Sequence, residues 1–185
     1  MIGPDAGLTH LRVFLSVADT GSIAKSSGDI LKASSAITRS IRELENALGA
    51  ALFERGPRGM LLNAYGETVL RRAARIQDQA EQAADELGRS KGAGTIARNV
   101  VAGLMFSGRK LRLLEQLTEL ASLSAAAARL GVTQAGASMA LARIEAGVGQ
   151  PLFHRLPKGM APTDAVRKLV AAGKRIFAEL RHMEA

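Results

Sequence analysis

The 185-residue chain contains no cysteine, which leaves it without a disulfide framework, a thiolate nucleophile or a zinc-thiolate site. Aromatics are nearly as scarce, with no Trp, one Tyr and five Phe. Proteins that grip single strands or unpaired RNA stack bases on aromatic side chains, so that mode is not expected, whereas a DNA duplex stays open. Long apolar runs are also missing. The longest stretch without Asp, Glu, Lys or Arg runs from Leu130 to Ala142, well short of the roughly 20 residues of a membrane span. The opening residues, MIGPDAGLTH, show no basic segment followed by an apolar one, so no secretory signal is read and a cytoplasmic location is expected. His10, His154 and His182 lack metal-ligand spacing, and no metal or cofactor is expected.

What is present is a globular composition, 47% hydrophobic and 23% charged, with 25 Lys and Arg against 17 Asp and Glu for a formal charge of +8. The excess is uneven. Residues 1–92 hold 12 basic and 11 acidic side chains and residues 93–185 hold 13 and 6. Positive charge attracts phosphate, but by itself it is equally the mark of a solvated surface.

The string Leu52-Phe53-Glu54-Arg55-Gly56-Pro57-Arg58-Gly59-Met60 returns as Leu152-Phe153-His154-Arg155-Leu156-Pro157-Lys158-Gly159-Met160, an offset of 100. Without a gap the same offset pairs Leu11-Arg12 with Leu111-Arg112, Ser22 with Ser122, Glu45 with Glu145, Gly49 with Gly149 and Arg75-Ile76 with Arg175-Ile176. Chance similarity of Ala-rich helices does not reproduce a loop string in one register, so one unit occurs twice. The expected organisation is 1–90, a connector over 91–109, and 110–185.

In each unit the pattern is that of short helices. Leu11, Phe14, Leu15 and Ala18 form an amphipathic stripe. Ser22 is placed to cap a second helix running to about Leu31, and a third, about Ser34 to Leu48, carries Ile37, Ile41, Leu44 and Leu48 with Gly49 as its stop. Leu52 to Arg55 and Met60 to Leu62 then read as two short strands around a Gly/Pro turn, which makes a winged helix-turn-helix. A long helix follows over 64–89, capped by Asn63, about 39 Å in length at ~1.5 Å per residue. Val69, Ala73, Ile76, Ala80, Ala83 and Leu87 recur on it at spacings of four and three, and Leu169, Gly173, Ile176, Leu180 and Met183 repeat the seam in the second unit. That spacing suits pairing of two helices, although its first turns could pack on their own domain. The expected fold is mainly α: two tandem winged helix-turn-helix domains, each followed by a long linker helix.

The residues Ser22-Ile23-Ala24, Ala36-Ile37-Thr38-Arg39-Ser40-Ile41-Arg42-Glu43-Leu44-Glu45, Leu48-Gly49, Leu52-Phe53-Glu54-Arg55 and Leu62-Asn63-Ala64-Tyr65-Gly66 resemble the DNA-binding domain and linker helix of LysR-type transcriptional regulators. The second unit is similar through Leu123 to Gln134 and Pro151 to Arg155, so the resemblance covers nearly the whole chain. It implies that the third helix of each unit enters the major groove and that linker helices pair antiparallel. The family carries a Ser-Gln pair and, four residues after the Gln, a Ser-Arg pair. Here the first unit has Ala33-Ser34 and Thr38-Arg39, the second Thr133-Gln134 and Ser138-Met139, so each keeps a different half.

By this correspondence Gln134 suits an adenine edge and Arg39 a guanine or a phosphate, while Ser34, Thr38, Thr133 and Ser138 bond bases or phosphates. Arg42 and Arg143 join them on the helices. Arg55, Arg58, Arg155 and Lys158 fall on the wings, where phosphate contact and plain solvation are equally reasonable.

Family members continue into an effector-binding domain for which this chain has no room, so a small-molecule inducer is not expected. Both linker helices lie in one polypeptide, and Ser90 to Arg109 suffices as a connector at up to about 3.3 Å per residue. The expected function is a sequence-specific duplex-DNA-binding regulator that is a pseudo-dimer within one chain. Pairing of two chains is the competing assembly. The competing function is an interaction module that pairs its linker helices with a separate LysR-type regulator. Ser22-Ile23-Ala24-Lys25 matches an acyl-enzyme motif and Gly92 to Ala97 a loose dinucleotide fingerprint, but the first sits at a helix cap with no Lys-Thr-Gly elsewhere. The second follows polar Arg89-Ser90-Lys91 rather than a buried strand and reads as a hinge. No enzyme is expected.

Overall fold

The computed structural model describes residues 3–29, 31–57, 59–89 and 95–183. These fall into two compact units, the first built from residues 1–77 with 177–185 and the second from 78–176, so the helices over 64–89 and 164–182, each of which follows a winged helix, have residues in both.

In the first unit α1 (Pro4–Thr20) stops at Gly21, whose φ of 63° is left-handed and whose N–H returns to Val17 O. Its buried face is Leu8, Leu11, Val13, Phe14 and Val17, with Leu15 and Ala18 only half-buried. α2 (Ile23–Asp29) starts where Ser22 Oγ accepts the Lys25 N–H at 3.4 Å. It ends before Leu31, which adopts a left-handed φ of 51°. α3 (Ser34–Leu48) ends on left-handed Gly49 and buries Ile37, Ile41 and Leu44 against α1 and α2. The wing is β1 (Phe53–Gly56) paired antiparallel with β2 (Gly59–Leu62), Phe53 opposite Leu62. α4 (Ala64–Arg89) begins with Asn63 Oδ1 accepting the Gly66 N–H at 2.7 Å.

The second unit repeats this plan. α6 (Gly108–Leu120), α7 (Leu123–Leu130), α8 (Gln134–Val148), β3 (Phe153–Leu156), β4 (Gly159–Pro162) and α9 (Asp164–His182) follow in order. One element has no counterpart: α5 (Thr95–Met105) occupies most of the segment expected to be a connector. Val101, Leu104 and Met105 bury its inner face, and it packs on α8. A Cβ at Gly147 of α8 would lie 3.0 Å from Val100 Cγ1, so glycine there makes room for α5, whereas the first unit has Ala47. Residues 90–94, with the first half of the loose dinucleotide fingerprint, lie outside the described residues.

The tertiary hydrogen bonds are duplicated as well. Glu45 Oε1 accepts the Leu52 N–H and Glu145 Oε1 the Leu152 N–H, both at 2.8 Å. Met60 N–H donates to Gly21 O at 3.2 Å, and Met160 N–H to Ala121 O at 2.9 Å. A half-buried carboxylate thus ties the wing to the end of α3 or α8, and a backbone bond ties it to the end of the first helix of the unit. An amide orphaned by losing such a partner costs about 1–3 kcal/mol. Gly59 and Gly159, at φ 110° and 115°, bring the strands within reach: a Cβ would come within 2.6 and 2.5 Å of the same two carbonyls.

Every residue of the expected seam is buried. In the first unit Glu179 Oε2 and Oε1 receive Arg72 at 3.3 Å and Arg75 at 3.8 Å. In the second, Arg175 Nε donates to Gln79 Oε1 at 2.5 Å, and Leu87 shares a cleft with Thr163, Asp164 and Lys168, so the segments 79–87 and 163–175 run antiparallel. Gly173 also faces its own unit's body, a Cβ there lying 3.3 Å from Leu111 Cδ2.

Candidate nucleic-acid interface

A helix held by Ile37, Ile41 and Leu44 must turn its opposite side outward, and on α3 that side carries Ser34, Ser35, Ala36, Arg39 and Arg42, all exposed. Thr38 is half-buried and donates its hydroxyl to Ser34 O at 2.9 Å. Arg39 does not hang free. Its Nε donates to Glu43 Oε1 at 2.7 Å, and the other carboxylate oxygen, Oε2, lies 3.0 Å from His10 Nε2 on α1. His10 Nδ1 in turn is 2.6 Å from Ser40 Oγ. The chain is satisfied by a neutral imidazole that carries its proton on Nε2 and accepts from Ser40 at Nδ1, an assignment made from the network. Burial pushes His10 below the ordinary histidine value, against the pull of Glu43 and with a small push from Lys32. The hydrogen bond from Arg39 holds Glu43 below the usual carboxylate range, and the same bond raises Arg39. An Arg anchored through Nε keeps both terminal nitrogens for a bidentate partner.

On α8, Ala137, Leu141, Ile144 and Val148 face the core. Gln134, Ala135, Gly136, Met139, Ala142 and Arg143 face outward, with Ser138 half-buried. Thr133 is the N-cap, its hydroxyl oxygen accepting the Gly136 N–H at 3.0 Å, which leaves the hydroxyl proton for an outside acceptor. Gln134, Arg42 and Arg143 have no hydrogen bond or ion pair among the described residues. On the second wing Arg155 and Lys158 are exposed and frame Leu156, itself 52% exposed. On the first wing Arg55 lies on β1, and Arg58 lies outside the described residues.

His10, Ser40 and Glu43 are not among the DNA-contact residues expected from sequence. The Arg39–Glu43 spacing of four on a helix was a legible signal for one of them. His10 has none, because its partner stands thirty positions away.

A family profile described as "Bacterial regulatory helix-turn-helix protein, lysR family" matches residues 8–67 and again 109–167. The chain belongs to the LysR family. The first match takes in α3 and its wing and the second α8 and its wing, so each unit is LysR-type by itself. The chain is 34% identical over 177 residues to the HTH-type transcriptional regulator GalR of Pseudomonas putida, a match covering 96% of this chain and 43% of that protein. It is 41% identical over 71 residues to the SDS degradation transcriptional activation protein of a Pseudomonas species, covering 38% of this chain and 23% of that protein. With the regulator PcaQ of Agrobacterium fabrum the figures are 37% over 78 residues, 42% and 25%. The chain thus spans less than half the length of these relatives. Among solved structures, the LysR family transcriptional regulator CbnR is 34% identical, covering 43% of this chain and 27% of that one with a TM-score of 0.40. The CbnR_DBD–DNA complex is 32% identical, covering 46% and 98%, also at 0.40. No helix among the described residues is long and apolar enough to cross a membrane.

Proposed function

We propose that this LysR-family chain is a sequence-specific duplex-DNA-binding transcription regulator, and that it acts as a single-chain pseudo-dimer on an asymmetric site. The observation that carries the reading is the pair of outward helix faces: both sit on the same winged scaffold, yet one offers Arg39 and Arg42 and the other Gln134, Met139 and Arg143. Two copies of one scaffold with different reading residues select two different half-sites. Burial of the linker-helix seam inside one chain supports intrachain pairing, since little apolar seam is left for a second copy or for a separate LysR-type partner.

The test is solution mass together with footprinting on the chain's own promoter region. The expected result is a monomeric mass and one asymmetric protected site whose occupancy falls as salt rises, because released counterions drive phosphate contact. A stable dimer overturns the pseudo-dimer. Absence of specific binding until a second regulator is added overturns the DNA-reading function in favour of the interaction module.

A further inference from the structure

Met139 stands at the crown of α8. It lies opposite the core side of Ala137, Leu141 and Ile144, and its side chain is 56% exposed. One turn before it are Ala135 and Gly136, one turn after it Ala142 and Arg143, all exposed. Met139 and the exposed Ala135, Gly136 and Ala142 around it therefore carry neither charge nor a hydrogen-bonding side chain, and Arg143 stands at one end of this patch. The equivalent position of the first unit is Arg39, anchored by Glu43. The one acid of α8, Glu145, is turned away and accepts the N–H groups of Leu152 and Phe153. The exposed charges of α8 and of its wing are all cationic, Arg143 on the helix and Arg155 with Lys158 on the wing.

An apolar crown flanked by cations and free of carboxylates complements a polyanionic groove better than it complements a protein surface. On the floor of the major groove the thymine 5-methyl is the apolar group that base pairs display, and phosphates form the walls. We infer that Met139 reads the 5-methyl of a thymine in the half-site taken by the second unit, at the position where the first unit reads with Arg39. This deepens the DNA-binding proposal and rests on it. The small residues on either side of Met139 let the helix lie low enough for a thioether to reach a methyl, and a flexible thioether adapts its shape to it.

The experiment uses duplexes selected by the full chain from a random-sequence pool, in which each thymine in turn is replaced by deoxyuridine, removing only the methyl. The expected result is a loss of affinity of about fourfold, the worth of one methyl withdrawn from water, at one thymine of one half-site. Met139→Ala should abolish that loss, and Met139→Leu, still apolar, should keep it. Melting by circular dichroism verifies that each variant is folded, as expected for a side chain outside the core. Uniform tolerance of deoxyuridine overturns the inference alone, and so does sensitivity that survives Met139→Ala. Failure to select any duplex overturns the DNA-reading proposal and this inference together.

Discussion

The reading helix of the first unit is braced by polar side chains and that of the second is bare. Around α3, Arg39, Glu43, His10 and Ser40 form one connected chain, whereas the positions one hundred residues on are Met139, Arg143, Lys110 and Ala140. Beneath that difference the main ties of the scaffold recur: Glu45 and Glu145 anchor the wings, and Gly59 and Gly159 turn them. The physical reason is the unequal cost of change. Truncating a large buried side chain costs about 2–5 kcal/mol, while an exposed substitution usually stays within ~0.5 kcal/mol, so after duplication the outer faces are free to diverge and the inner ones are not.

The comparison breaks most visibly on DNA. Arg39→Ala combined with Gln134→Ala should cost about 10²- to 10⁴-fold in specific affinity, each single change relaxing base choice in only one half-site. Competition binding on selected duplexes measures it. If either single change removed specificity from the whole site, the units would not be reading independently.

A smaller effect separates the two wings. Glu145→Ala orphans two amides, Leu152 and Phe153, where Glu45→Ala orphans Leu52. At about 1–3 kcal/mol for each amide left unsatisfied, the second unit should lose more stability. Hydrogen exchange at these amides reports the loss unit by unit, and equal losses would contradict the asymmetry.

The helix-turn-helix bends sharpen it further. Leu31 is left-handed and 91% exposed, whereas Gly131 holds the corresponding place at φ 66°. Leu31→Gly relieves a strained backbone without removing packing and should raise stability by about 1 kcal/mol, read as a higher urea midpoint. Gly131→Leu should lower it by a similar amount.

The smallest expected effect is pH dependence. His10 is held below its unfolded value, so on acidification the unfolded chain takes up this proton first. Its contribution to stability is complete above the ordinary histidine value and is lost as the pH falls through that value to the lowered one. His10→Gln should flatten the pH profile of thermal stability across that range.

Much of this organisation was legible beforehand because it is local. Spacings of three and four set α3 and the seam, Gly49 and Asn63 marked a stop and a start, and the offset-100 string announced the wings. The helix over 95–105 is not announced by the glycines before it, although Val101, Leu104 and Met105 carry a helical spacing. Sequence by itself determined the duplication and the winged helix-turn-helix plan of each unit, since periodicity and capping act within a few residues. Tertiary structure alone decided that Glu43 and His10 brace Arg39, that Glu45 and Glu145 hold the wings, that α5 lies on α8 beside Gly147, and that both seams are covered. Those depend on which distant groups meet when the chain closes on itself, and no local pattern encodes that.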